Sequence, residues 1–189
     1  MNVVAIQGSP RHVGNTDIVL NAVLAGVAES KPSHLTVIHA ADKRIAGCRE
    51  CFTCQAVPDS PGCAIKDDMV ELYAAMLGAD LVILASPVFC WGFSAQLKAV
   101  LDRLYACFKF NETPPRCLLA GKKLALVVTA GGESTDGADL CETAFARLAE
   151  FGGASEAKRF VAPLLKSPNQ TRHDTALLER ARQFGRSLV

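Results

Sequence analysis

Charge of one sign is missing from this chain: its 189 residues carry 20 Lys and Arg against 19 Asp and Glu, a formal net charge of +1. Neither nucleic acid nor an anionic membrane is therefore an expected partner. A long apolar run is missing too. The longest, residues 81–93, holds Ser86, Pro87 and Gly92 and is too short to span a bilayer. Nothing like a basic n-region or a removable apolar segment precedes the first strand-like run, so the chain is expected to be cytoplasmic. The pattern contains no internal repeat, linker or disordered tail. It also contains no Ser-His-Asp or paired-carboxylate arrangement, which removes the usual side-chain machinery of hydrolysis from the expected chemistry. Neither G-x-G-x-x-G nor G-K-[ST] follows a strand, which excludes the dinucleotide fingerprint and the Walker loop.

What is present is enough apolar surface for a full core. Half of the residues are hydrophobic, and the length fits one domain over residues 1–189. Residues 3–7, 35–39, 81–85, 124–129 and 158–162 read as strands, three of them continuous apolar runs of the kind buried on both faces of a parallel sheet. Helical periods lie between them. Met69, Leu72, Tyr73, Met76 and Leu77 share a face, with Asp68 and Glu71 spaced as a capping pair, and Leu97, Val100, Leu101, Leu104 and Tyr105 repeat the pattern. A helix from about residue 137 to the Gly152-Gly153 pair and another from about residue 174 complete the set. This alternation predicts an α/β fold, a flavodoxin-like doubly wound five-stranded parallel sheet in the order 2-1-3-4-5 with helices on both faces. One long irregular, Cys-rich insertion, residues 43–66, interrupts it.

In such a sheet the ligand lies beyond the carboxyl ends of the strands, at the switch point between strands one and three. Three loops reach that edge. The first, Gly8-Ser9-Pro10-Arg11-His12-Val13-Gly14-Asn15-Thr16, is a strand-to-helix turn whose open backbone N–H groups and helix dipole suit an anion. Ser9, Asn15 and Thr16 add short donors and Arg11 adds a forked charge, a set that suits a terminal phosphomonoester, such as that of FMN, better than a pyrophosphate. The second loop gathers Phe89, Trp91 and Phe93 where polar residues are usual, so Pro87, Val88, Phe89, Cys90, Trp91 and Gly92 are candidates to face a flat aromatic ring. The third carries Thr129, Gly131 and Gly132, whose paired glycines let main chain approach a ligand closely. The first two loops have plainer alternatives: a capped turn for the first, and core or subunit contacts for the aromatics of the second.

On these residues the chain resembles the flavodoxin-like NAD(P)H-dependent FMN reductases and, within them, the iron–sulfur flavoproteins. The matching segments are Gly8-Ser9-Pro10-Arg11 with Gly14-Asn15-Thr16, Gly47-Cys48 to Cys63 with Asp67-Asp68-Met69, and Ser86-Pro87-Val88 with Ser94-Ala95-Gln96-Leu97-Lys98. The resemblance implies that the first loop holds the FMN phosphate, the second runs along the isoalloxazine and the third closes the site. It implies flavin-borne chemistry with no catalytic side chain, NAD(P)H as co-substrate, and a flavin, quinone or similar small acceptor. It also implies a homodimer or homotetramer with Trp91 and Phe93 at a subunit interface. The chain departs from the pattern at Cys90-Trp91, where relatives more often carry Tyr or Phe followed by a small residue.

Eight cysteines in a reducing compartment read as thiols or metal ligands rather than disulfides. Cys48, Cys51, Cys54 and Cys63 form C-x2-C-x2-C-x8-C, spacing that suits a [4Fe–4S] cluster. A four-thiolate zinc site and free thiols are the alternatives. The resemblance implies the cluster, and with it an alternative function as an FMN and [4Fe–4S] electron-transfer protein serving ferredoxin-like redox partners. The gap before Cys63, with Pro58 and Pro61, is longer than in those relatives. Cys107, Cys117 and Cys141 read as small apolar fillers, and Cys90 is expected beside the ring. Asp67-Asp68 reads as a helix cap, Asp102-Arg103 as a surface pair, and His12 as a solvated or phosphate-assisting residue.

Overall fold

A computed structural model describes all 189 residues. Five parallel strands, β1 (Asn2–Gln7), β2 (His34–His39), β3 (Leu81–Phe89), β4 (Lys123–Thr129) and β5 (Glu156–Ala162), pair in the order β2-β1-β3-β4-β5. The order is the expected one. Five helices cover the sheet: α1 (Asn15–Ser30), α2 (Met69–Gly78), α3 (Ala95–Arg103), α4 (Asp139–Phe151) and α5 (Thr175–Arg186).

Because a strand repeats every two residues, neighbours along each central strand enter different cores. Val4, Ile6, Val82, Leu84, Leu126 and Val128 join the core that holds residues of α2, α3 and α4. Val3, Ala5, Leu81, Ile83, Ala125 and Val127 join the core formed with α1 and α5. Ile6, Ile83 and Leu126 are fully buried, each worth about 1.5–3 kcal/mol relative to exposure. The edge strand β5 is only half buried and carries Lys158 and Arg159, charges that discourage a further strand from adding there.

Helices α1 and α5 cross with their backbones in contact. A Cβ on Gly26 would stand 1.9 Å from the Arg182 carbonyl oxygen, and one on Gly185 would stand 2.0 Å from that of Val23. Two facing glycines therefore set this crossing, and α1 carries the first loop at its N-terminus. Helix α4 stops at Gly152-Gly153 as expected, with Gly153 at φ 67°. No helix is long and apolar enough to cross a membrane.

Three local expectations are corrected. β3 does not end at Ala85: it continues to Phe89 and folds back on Gly92–Phe93 through a two-residue turn. The turn residues Cys90 and Trp91 are both left-handed, at φ 45° and 60°, a geometry that such hairpins need and usually fill with Asn-Gly. Asp68 and Glu71 do not cap α2. The insertion crosses the helix start, so Asp68 accepts from the Arg44 amide at 2.7 Å and Glu71 pairs with Lys43 at 2.6 Å. Asp67 accepts from the Met69 amide instead, at 3.2 Å. Asp102 and Arg103 are not a surface pair, since adjacent helix residues point about 100° apart. Asp102 pairs outward with Lys98 at 2.6 Å, whereas Arg103 is 1% exposed and points inward.

Candidate functional site

The carboxyl ends of β1, β3 and β4 enclose a cleft of about 150 Å³. It is lined on one side by Ser9, Pro10, Arg11, Gly14, Asn15 and Thr16, and on the other by Pro87, Val88 and Phe89, with Thr129, Ala130, Gly131 and Leu165 across its floor and wall. Helix α1 starts here with Gly14 as N-cap and no side-chain cap, so the first-turn N–H groups are open to an anion, an arrangement worth about 0.3–1 kcal/mol from the dipole alone. Arg11 is exposed and has no carboxylate partner. Its charge is free for a ligand.

Buried polar contacts fix this loop before anything binds. The Ser9 amide donates to Gln7 Oε1, and the Arg11 amide donates to Ser9 Oγ at 3.1 Å. The Thr16 and Thr129 hydroxyls share a 2.7 Å hydrogen bond; one of the two protons stays free to donate into the cleft. Ser94 joins the first and second loops. Its hydroxyl donates to the Gly8 carbonyl at 2.6 Å and accepts from the Leu97 amide at 3.3 Å, capping α3, while its amide donates to Ser86 Oγ at 3.0 Å. Gly8 has to be glycine, because a Cβ there would lie 2.6 Å from that of Leu97.

Ser9, Arg11, Asn15, Thr16, Pro87, Val88, Phe89, Thr129 and Gly131 thus come together in one cleft. Cys90, Trp91 and Gly132 line an adjoining groove with Val88, Gly131 and Asp136, whereas Gly92 lines neither and pairs with Phe89 in the hairpin. Phe89 and Trp91 are 49% and 64% exposed, which removes the core alternative for both. The Trp91 indole N–H donates to Asp136 at 3.0 Å, pinning the hairpin tip to the segment after Gly132. The Asn15 side chain is engaged elsewhere: its Nδ2 donates to the Ser167 carbonyl at 2.9 Å and its Oδ1 accepts from the Thr171 amide at 3.1 Å. Only its backbone remains for a phosphate. His12 lies 3.1 Å from the Asp42 carboxylate, a surface contact.

Sequence reasoning missed Gln7, Ser94 and Leu165 as site residues. Leu165 belongs to the segment after β5, whose Leu164 and Leu165 amides donate to the carbonyls of Gly132 and Ala130 at 2.9 Å each. Its signal was the apolar Pro163-Leu164-Leu165 run at the same sheet edge.

The four motif cysteines converge on a second, smaller cavity, which Cys48, Cys51, Cys54 and Cys63 line with Phe52, Ile65, Arg103 and Tyr105. The loop wraps tightly here: Glu50 and Phe52 are left-handed at φ 54° and 58°, unusual for residues with side chains. No three metal-binding side chains stand close enough to hold a single ion. Hydrogen bonds from Thr53 lower the Cys51 thiol below its ordinary range. Burial pushes the Cys107 thiol up to about 12 and Cys141 to about 11, so those two behave as inert fillers. Arg103 donates to Asp67 through both Nη atoms, at 2.8 and 3.1 Å, but its Nε–H is buried without a partner.

The family model for NADPH-dependent FMN reductases matches residues 1–159. An iron–sulfur flavoprotein of Methanosarcina thermophila is 36% identical over 103 residues, covering 54% of this chain and 52% of that protein. Another, from Methanocaldococcus jannaschii, is 40% identical over 103 residues, covering 54% and 51%. The aligned stretch spans about half the length of these curated relatives. In fold, the chain superposes on an NAD(P)H:quinone oxidoreductase from Methanothermobacter marburgensis with a TM-score of 0.74 at 18% identity, covering 100% and 99% of the two chains. The first loop, the hairpin and the glycine pair all fall inside the matched residues, and the chain belongs to the NADPH-dependent FMN reductase family.

Proposed function

We propose that the protein is an FMN-dependent oxidoreductase that takes electrons from NAD(P)H and reduces a flavin, a quinone or a similar small acceptor. The observation that carries this is one cleft with two unlike ends: an uncapped helix N-terminus beside the free Arg11, and the apolar strand end Pro87 to Phe89. A phosphate and a flat ring on one molecule match those ends. The first-turn amides of α1, with Arg11, Ser9 and Thr16, would hold the phosphate, and Pro87, Val88 and Phe89 would lie along the ring. Bound FMN supplies the redox chemistry, accepting electron pairs and releasing them in pairs or singly. The residues that line the cleft include no His, Asp, Glu, Lys or Cys, so the chain's part is to bind, orient and exclude water. Titrating the protein with FMN and with riboflavin tests the phosphate half, and anaerobic mixing with NADH and NADPH separately tests the donor. Failure to take up FMN would overturn the reading.

A second reading rests on a separate observation, the four thiols and the unpartnered Arg103 Nε on one cavity. In it, Cys48, Cys51, Cys54 and Cys63 hold a [4Fe–4S] cluster, and the protein passes electrons to a ferredoxin-like partner. When bound, the cluster supplies a one-electron relay. Zinc fits less well, because three cysteines at two-residue gaps followed by a distant fourth are a less usual spacing for a four-thiolate zinc site than for a cluster. Iron and sulfide analysis of anaerobically purified protein separates the two, and zinc without iron would overturn the cluster. Assembly as a homodimer or homotetramer through the exposed Trp91 and the neighbouring Phe89, in the cytoplasm, completes the proposal, whereas Phe93 is half-buried against the core; light scattering on a sizing column tests the assembly.

A further inference from the structure

Two cations are buried beside the cysteine cavity and neither reaches the flavin cleft. Arg103 and Lys109 are each 1% exposed. Four N–H groups of Arg103 are engaged: Nη1 donates to the Ala46 carbonyl at 2.9 Å and to Asp67 at 2.8 Å, and Nη2 donates to the Ile65 carbonyl at 3.3 Å and to Asp67 at 3.1 Å. The fifth, on Nε, is buried and makes no hydrogen bond; the Tyr73 hydroxyl, which donates to the Arg103 carbonyl at 2.6 Å, stands near the guanidinium, and the side chain lines the cavity with the four cysteines. Buried donors on a charged group are rarely left open. Lys109 donates to the carbonyls of Cys54 and Ser60 at 3.0 and 2.8 Å and to that of Pro61 at 3.5 Å, and it has no carboxylate partner. The buried charges therefore do not cancel. Asp67 balances one cation and the other is left over, beside residues that are negative when they ligate metal.

We propose that Arg103 is a positioning residue that sets the reduction potential of the cluster: its Nε–H donates to sulfur in the cavity, and together with Lys109 it favours the more negative, reduced state. The inference rests on the cluster reading of Cys48, Cys51, Cys54 and Cys63. Hydrogen bonds to sulfur and buried charge are among the levers by which a protein moves such a potential, and buried cations are screened far less by salt than exposed ones. The redox step adds one electron to the cluster; the nicotinamide donor gives up two as a hydride, so by way of the bound flavin one NAD(P)H, leaving as NAD(P)+ and a proton, serves two such steps. No ligand bond breaks and the guanidinium keeps its protons.

The test is an anaerobic redox titration followed by electron paramagnetic resonance, with iron content measured on the same samples. Arg103→Gln should lower the midpoint by at least a tenfold change in the reduced-to-oxidised ratio at fixed potential, 59 mV for one electron. Arg103→Lys, which keeps a charge beside Asp67 but has no Nε–H, should shift it in the same direction by less. Lys98→Gln, an exposed cation on the same helix, should leave it in place. Wild-type potential in both Arg103 variants at full iron content would overturn the proposal, as would an equal shift in Lys98→Gln. Loss of the cluster from both variants with FMN still bound would also overturn it, leaving Arg103 a structural clamp. If Arg103→Gln opens the insertion and loses its iron, Arg103→Lys, which keeps a cation beside Asp67, alone must show the shift. A wild-type protein without iron would instead overturn the cluster reading, and the iron assay would reveal that before any potential is measured.

Discussion

The cleft at the strand ends takes its donors from backbone, whereas the cysteine cavity takes its charge from side chains brought in by other elements. At the cleft, parallel pairing and the start of α1 place the amide groups, and the side chains of Gln7 and Ser94 hold them still. The insertion at 43–66 has almost no regular structure; Arg103 and Lys109 fix it by reaching across sequence gaps of 38 residues and more, and Asp67 accepts from the Ala46 amide 21 residues back. A site made by topology keeps its shape when a single lining side chain is lost, and a site made by buried ion pairs does not.

That contrast is broken or sharpened most strongly at Arg103. Arg103→Met leaves Asp67 without its cation in a site where the pair is 1% and 12% exposed, and removing one partner of a buried pair costs about 3–5 kcal/mol. Limited proteolysis should then cut within 43–66 while the folded fraction still takes up FMN; cutting spread evenly along the chain would erase the distinction. Arg11→Gln should do the reverse. Loss of a charge-assisted hydrogen bond of about 1.5–3 kcal/mol weakens FMN by roughly 10-fold to 150-fold, with riboflavin affinity and thermal stability unchanged because Arg11 has no internal partner. Ser94→Ala removes the α3 cap and the tie to Gly8, which should lower stability by about 0.5–2 kcal/mol in urea melts and weaken FMN as well.

The smallest effect is that of acid. Desolvation pushes the Asp67 carboxyl up, but hydrogen bonds from Arg103 and from the Ala46 and Met69 amides more than reverse it, so its folded value lies below the ordinary 3.8. The unfolded chain thus binds this proton more readily. The stabilisation is complete above that ordinary value and is lost as pH falls through the lower folded one. Proteolysis across an acid series should open the insertion before the cleft, and Asp67→Asn should flatten that dependence.

What was legible in the sequence follows the same division. Residues 3–6 and 81–85 are unbroken apolar runs, and their strand assignment needs no distant information; Gly8 to Thr16 joins strand to helix in the chain, so its anion site could be read locally. The Ser86–Phe93 hairpin could not, because Cys90-Trp91 carries none of the Asn-Gly chemistry that marks such turns. Arg103 was misread for a related reason. Its neighbour Asp102 is adjacent in sequence but points to solvent, and its true partner lies 36 residues away, a pairing that no local period encodes. Lys109 and Leu165 reach their sites by tertiary packing alone.

The left-handed Cys90-Trp91 turn also bears on how this protein could be engineered. Each non-glycine residue held there costs about 1–2 kcal/mol, and in a domain of this size each kcal/mol regained raises the melting temperature by about 2–4 °C. Asn-Gly at these positions is the obvious stabilising choice, and it would also delete the indole that bonds Asp136 at the groove beside the flavin cleft. Under the proposed function, a heat-resistant variant made this way trades that groove contact for melting temperature. Thermostability screens that score only the melt would select that change, and screens that score the melt and activity together would reject it.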